Sequence, residues 1–281
     1  MKEVRTRPVS TTTDSVNSHA IPTFDHLILG IANGVAKVTF NRPEVLNALN
    51  PELVDEFIQA LHQLAADNSV KVLVLAGAGR AFCTGADLKA VLRMFDEWPT
   101  YVRFLYQLTE AAVILENLPF PTIARIHGYA LAGGLEYLLC CDMAIAADDA
   151  RIGDQHSKVG LIAGAGGIPR LTRRIGRQAA FELLYTGGWL TGVEAVAKGV
   201  VLRSVPEAEL DAEIDKLTSV LATQSRTASS YVKRVVNRSV DLPLAATLDE
   251  ERAALLEYLS TSPHPREGIA AFLQGRRPVF D

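Results

Sequence analysis

His127-Gly128-Tyr129-Ala130-Leu131-Ala132-Gly133-Gly134-Leu135-Glu136 is the stretch on which the fold turns. Thr122 to Ile126, just before it, has the length and apolar content of a short buried strand. Leu135, Leu138 and Leu139, just after the two glycines, fall on a helical spacing. The small residues therefore mark a strand-to-helix junction. Small side chains let a ligand approach the backbone closely, and the first helical turn leaves N–H groups without intrahelical partners. Such a helix start favours negative charge. A second junction of the same kind is Ala81-Phe82-Cys83-Thr84-Gly85-Ala86-Asp87-Leu88-Lys89. Two helix starts facing one point would make an oxyanion hole, a pair of donors aimed at charge developing on a carbonyl oxygen. Either one alone reads as a tight turn.

The alternation continues outward. His26 to Ile31 and Val35 to Phe40 are apolar runs around Asn33-Gly34, a hairpin signal because both turn positions tolerate φ > 0. Pro51 opens a helix that places Leu53, Phe57, Leu61 and Leu64 on one face, and Val70 to Leu75 reads as a buried strand. A helical region follows over Asp87 to Leu118, with a break expected at Pro99. Asp142 to Ala146 is strand-like, and Arg151-Ile152 is a short extended piece. From Pro169 the character is helical, near Pro169–Ile175, Gln178–Thr186, Gly192–Lys198, Glu207–Thr223, Ala228–Asn237 and Leu244–Leu259. Val200 to Val205 is the one late strand. The pattern predicts one α/β domain with a helical C-terminal portion, preceded by a flexible tail over residues 1–23.

Composition bounds the function. The chain has 281 residues, 48% hydrophobic, enough for a substantial core, and a net charge of −4 with both signs interleaved. Nucleic acid is not the expected partner, since phosphate binding needs a basic surface excess. Arg170, Arg173, Arg174 and Arg177 read as a solvated helix face. No run approaches the roughly eighteen apolar residues of a membrane span, and no secretory signal is visible. Cys83, Cys140 and Cys141 have no metal-ligand spacing, so no metal is expected. Their sparse, odd count fits a reducing, cytoplasmic setting. Trp98 and Trp189 are expected to pack or to line a pocket. His127 reads as a structural histidine that could line one too.

Taken together, the motifs resemble those of the crotonase (enoyl-CoA hydratase/isomerase) superfamily. The resemblance runs from Phe24 onward, through Asn41-Arg42-Pro43, Leu46-Asn47-Ala48-Leu49, Thr84–Leu88, Gly128–Glu136, Ala163-Gly164-Ala165-Gly166-Gly167, Thr191–Val201 and the C-terminal Gly268–Phe272 with Arg276, Arg277, Pro278 and Phe280. It implies a ββα superhelix core over 24–206, a helical part over 207–281, and assembly as a homotrimer or dimer of trimers. The implied substrate is an acyl-CoA thioester, with coenzyme A arriving as part of it and no cofactor permanently bound. Ala86 and Gly133 fall where the family's two oxyanion-hole amides lie. Arg42, Leu46, Asn47, Ala48, Asp87, Leu88, Lys89 and Arg276 fall on segments that meet the coenzyme; Asp87 also reads as a helix cap or brace.

Glu136 lies one turn after Gly133, on the same side of the helix. Among leucines, its carboxyl is expected to hold its proton more tightly than usual, as a proton-moving group would. The family's first catalytic glutamate stands here. Its second glutamate is replaced, because His156 occupies that position in Gly153-Asp154-Gln155-His156. Histidine still exchanges a proton near neutral pH. Asp154 could point the same way in an extended segment. The resemblance implies a hydratase or dehydratase using Glu136 and His156, a lyase of fatty-acid metabolism. Carbon–carbon hydrolysis or decarboxylation of a β-oxo substrate, double-bond isomerisation, and a silent acyl-CoA- or RNA-binding member remain open alternatives.

Overall fold

The structure is a computed structural model, and it describes residues 23–280. The tail expected over residues 1–23 lies outside them except for residue 23. Among the described residues there are eight strands: β1 (Leu27–Ala32), β2 (Val35–Phe40), β3 (Val72–Gly77), β4 (Thr122–Ile126), β5 (Tyr129–Leu131), β6 (Met143–Ala147), β7 (Arg151–Gly153) and β8 (Arg203–Val205). The helices are α1 (Pro51–Ala66), α2 (Leu88–Phe95), α3 (Trp98–Glu116), α4 (Gly133–Cys140), α5 (Gly167–Ile175), α6 (Arg177–Thr186), α7 (Gly192–Ala197), α8 (Leu210–Leu221), α9 (Arg226–Ser239), α10 (Leu244–Thr261) and α11 (His264–Leu273).

Six strands form the main sheet in the order β1-β2-β3-β4-β6-β8, antiparallel at β1/β2 and parallel thereafter. Asn33 and Gly34 turn the β1/β2 hairpin at φ 51° and 78°, the positive values its twist demands. Strand β3 lies inside the sheet between two parallel neighbours, and Val72 to Ala76 are buried on both faces, as a parallel strand covered by helices must be. Helix α1 is started by Asn50, whose side chain accepts from the Leu53 N–H, with Pro51 where no N–H is needed. It buries Leu53, Phe57, Leu61 and Leu64. Each contributes about 2 kcal/mol of apolar burial.

A second sheet pairs β5 with β7 in parallel. Backbone bridges extend it from Cys83 to Ala130 and from Ile152 to Leu190. Its hydrogen bonds run from Cys83 N–H to Tyr129 O (3.0 Å), Leu131 N–H to Cys83 O (3.0 Å) and Ala132 N–H to Gly153 O (3.0 Å). The small sheet thus ties three segments side by side: the 81–87 junction, the approach to α4, and the exit toward Asp154 and His156.

Three features depart from the sequence pattern. The break expected at Pro99 falls one turn earlier, at Asp96–Glu97, and Pro99 sits in the first turn of α3, where its missing N–H costs nothing. Strand β5 and helix α11 were not anticipated. Among the described residues no helix is long and apolar enough to cross a membrane. Helix α10 leaves Leu244, Leu248, Leu255, Leu256 and Leu259 exposed.

Candidate active site

Glu136 occupies the first turn of α4 and is 3% exposed. The carboxylate Oε1 accepts the N–H of Ala165 at 2.8 Å and that of Gly167 at 2.9 Å. Among the described residues Oε2 has no hydrogen-bond partner. Burial pushes the Glu136 carboxyl above the usual carboxylate range. The Gly167 amide, the nearby His156 charge and the Ala165 amide pull it partway back, and the net direction is upward.

His156 begins a 3-10 turn spanning His156–Val159, and Asp154 directs it. The Asp154 Oδ1 accepts the His156 backbone N–H at 3.0 Å, and Oδ2 meets Nδ1 at 2.9 Å. Asp154 is 2% exposed. Burial works against a charged imidazole, but Asp154's hydrogen bond and charge outweigh it and the His156 value rises. Nδ1 is committed to Asp154, so Nε2 is the ring nitrogen left for a ligand. The pairing does not come from an extended segment. Gln155 sits at φ −112°, ψ 4°, and this bend brings residue 156 back onto residue 154.

Glu136 and His156 both line a cavity of about 220 Å³, together with Ala86, Gly133, Thr84 and Ala165. Much of its lining is apolar: Leu49, Leu88 and Val91, then Tyr101, Phe104, Leu105 and Leu108 of α3. The Ala86 and Gly133 N–H groups have no backbone acceptor among the described residues. They lie close together, since a Cβ built on Gly133 would stand 3.8 Å from the Ala86 nitrogen. Two other glycines permit this. Gly85 has φ +92°, and a Cβ there would come within 2.7 Å of the Ala132 Cβ; one on Gly134 would stand 2.2 Å from the Cys83 carbonyl oxygen. Ala132 itself holds φ 50°, ψ −116°. Such a non-glycine conformation costs about 1–3 kcal/mol and is held by its surroundings.

The start of α2 differs from that of α4. Asp87 caps it by accepting from the Lys89 and Ala90 N–H groups, and Arg42 pairs with Asp87 at 3.3 Å. These contacts hold the Asp87 carboxyl below its ordinary value against a raising contribution from burial. Arg42 also donates to the Ala48 carbonyl at 2.5 Å. Asn47 is fully buried and donates to the carbonyls of Ala78 (2.9 Å) and Ala81 (2.7 Å). Of the segments matched to the coenzyme, Leu88 lines the cavity, while Arg42, Leu46, Asn47, Ala48, Asp87 and Lys89 form the braced structure beside it. Arg276 pairs with Glu267 at 2.6 Å on the C-terminal segment and does not line the cavity.

The remaining candidate residues lie outside the cavity. Trp98 and Trp189 do not line the cavity: both are exposed, Trp98 against Tyr101 and Trp189 against Arg151. His127 is held between Arg125 and the Gly79 carbonyl, a satisfied structural residue. Cys83 is fully buried, which pushes its thiol up to about 12 and leaves it inert at neutral pH. Arg170 does not belong to a solvated face, for it turns inward to Glu116. Sequence reasoning also gave no role to the Ala165 and Gly167 amides, although the run of small residues there was visible. Among the described residues no cluster of three His, Cys, Asp or Glu side chains could hold a metal ion.

The chain is similar to known proteins over most of its length. Residues 30–281 match the family model described as enoyl-CoA hydratase/isomerase. An enoyl-CoA isomerase/hydratase of Mycosarcoma maydis is 35% identical over 256 residues, covering 88% of this chain and 92% of that protein. The crystal structure of an enoyl-CoA hydratase from Mycobacterium smegmatis superposes with a TM-score of 0.84 at 33% identity, covering 91% of this chain and 98% of that one. That of an enoyl-CoA hydratase from Bacillus anthracis gives 0.86 at 32% identity, covering 91% and 98%. A parallel-sheet core with a cavity at the start of α4, matched over nearly its whole length, places the chain in the enoyl-CoA hydratase/isomerase family of the crotonase superfamily.

Proposed function

We propose that the chain adds water to an enoyl-CoA thioester, or removes it in the reverse direction. The observation that carries this reading is the convergence of Glu136, His156 and the unpaired Ala86 and Gly133 amides on one cavity. The thioester oxygen would sit between the two amides. As water adds to the β-carbon, that oxygen gains charge, and two fixed donors stabilise it; losing one typically costs roughly 3–4 kcal/mol. The Glu136 carboxylate takes a proton from the attacking water through Oε2, the oxygen without a protein partner. His156, whose hold on a proton Asp154 strengthens, gives a proton from Nε2 to the α-carbon of the enolate. The two groups then re-equilibrate with solvent, and the sum is one water added across the double bond.

The acyl chain would lie against the apolar wall of α2 and α3, and the coenzyme across the braced segments at 42–48 and 87–89. Exposed leucines on α10 support assembly into the trimer or dimer of trimers that the family implies. The Asp154–His156 pair also favours a second reading, in which His156 activates water against the ketone of a β-oxo substrate and cleaves a carbon–carbon bond. Product mass distinguishes the two. Incubated with a short enoyl-CoA, the purified chain should yield a thioester heavier by one water. Inertness toward enoyl-CoAs, with an acid and a shortened thioester released from a β-oxoacyl-CoA, would establish the second reading instead.

A further inference from the structure

Arg170 is the one arginine of its cluster that the sequence reading misplaced, and its contacts explain why it is turned inward. Its Nε and Nη2 donate to the two Glu116 oxygens at 2.9 and 2.7 Å, and its Nη1 donates to the Ala165 carbonyl at 3.0 Å. Ala165 presents its N–H to Glu136 from the other side of the same residue, at 2.8 Å. Gly167, the second donor to Glu136, opens the helix that carries Arg170. Glu116 is the last residue of α3, the helix whose Tyr101, Phe104, Leu105 and Leu108 form the acyl wall. One guanidinium therefore joins the end of the acyl-wall helix to the loop that grips the Glu136 carboxylate.

We infer that Arg170 is a positioning residue that sets the proton affinity of Glu136 by fixing the Ala165–Gly167 loop, with Glu116 as its anchor. The inference rests on Glu136 being the acid–base group of the proposed reaction. Its logic is local. A buried carboxylate is favoured toward its charged form by amide donors, and donors on a glycine-rich loop hold their aim only if the loop is fixed. A side-on, bidentate arginine–carboxylate pair supplies a rigid anchor that an ammonium cannot reproduce.

The test is a titration of the Glu136 carboxyl by carbon NMR, assigned by the resonance missing in Glu136→Gln, in the native chain and three variants. Arg170→Met should raise the midpoint by about one pH unit, as expected when amide donors to a carboxylate are lost. Arg170→Lys keeps the charge but not the fork, and should shift almost as far. Glu116→Gln, which leaves Arg170 in place and guards against a variant that fails to fold, should shift less in the same direction. In kcat/KM for hydration, the acid limb should move with the midpoint. The Arg170→Met deficit should then approach tenfold in acid and close at high pH. Midpoints that stay native in all three variants would overturn the inference. So would a native midpoint in Arg170→Lys alone, since charge rather than position would then be acting. Full activity in Glu136→Gln would instead defeat the functional reading while leaving the titration to judge the clamp.

Discussion

Two strand-to-helix junctions with similar small residues end in different structures. At α2 the helix start is closed: Asp87 occupies its N–H groups and is itself tied to Arg42. At α4 no side chain caps the start, and Ala132 before it is held in a strained conformation. A helix start can serve a ligand only where the chain does not satisfy it internally. In the proposed site the first junction contributes one amide from Ala86, ahead of its cap, while the second contributes Gly133 and Glu136 from an open turn. The sequence pattern had suggested two equivalent helix starts, and the structure shows one brace and one open end.

Substitutions at the two ends should separate them. Glu136→Gln, at the open end, should show the largest effect, a fall in kcat of about 10²–10⁴-fold with little change in thermal stability. His156→Gln should cost about 10²-fold in kcat by removing the second proton-moving group. Gly85→Ala should misalign the two amides, lowering kcat and destabilising the fold by about 1–3 kcal/mol, readable by denaturant titration. Asp87→Ala, at the closed end, should cost about 1 kcal/mol of stability through loss of the cap and leave kcat near native. An Asp87→Ala enzyme as inactive as Glu136→Gln would erase the distinction between the ends.

The Asp154–His156 pair adds a pH signature. The His156 value is raised in the folded chain, so the pair's stabilisation is full below the ordinary histidine value of 6.5 and is lost as pH rises through the raised folded value. The stability gap between the native chain and Asp154→Asn should be widest below pH 6.5 and narrow as pH rises through the raised folded value.

What the sequence showed was local. The Asn33-Gly34 hairpin, the Pro51 helix and the Gly133 helix start are written in neighbouring residues, and each stands where the pattern puts it. Strand β5 has three residues and exists only because Cys83 and β7 flank it. Helix α11 carries Pro263 before it and Pro265 in its first turn, which hide its helical spacing. The site divides in the same way. Glu136 and His156 could be named from the family resemblance, and the cavity holds both. The grip of Ala165 and Gly167 on Glu136, and the Glu116–Arg170 pair spanning 54 residues, depend on tertiary approach and left no periodic trace.

In the proposed reaction Glu136, in the first turn at the open end of α4, activates water against an acyl thioester. Hydration of a short enoyl-CoA in oxygen-labelled water, followed by mass spectrometry for the native chain and Glu136→Gln, tests it most directly. The expected product carries one labelled oxygen at the β-carbon, formed rapidly by the native chain and at least about a hundredfold more slowly by the variant. An unlabelled product of unchanged mass, or equal rates for the two proteins, would contradict it.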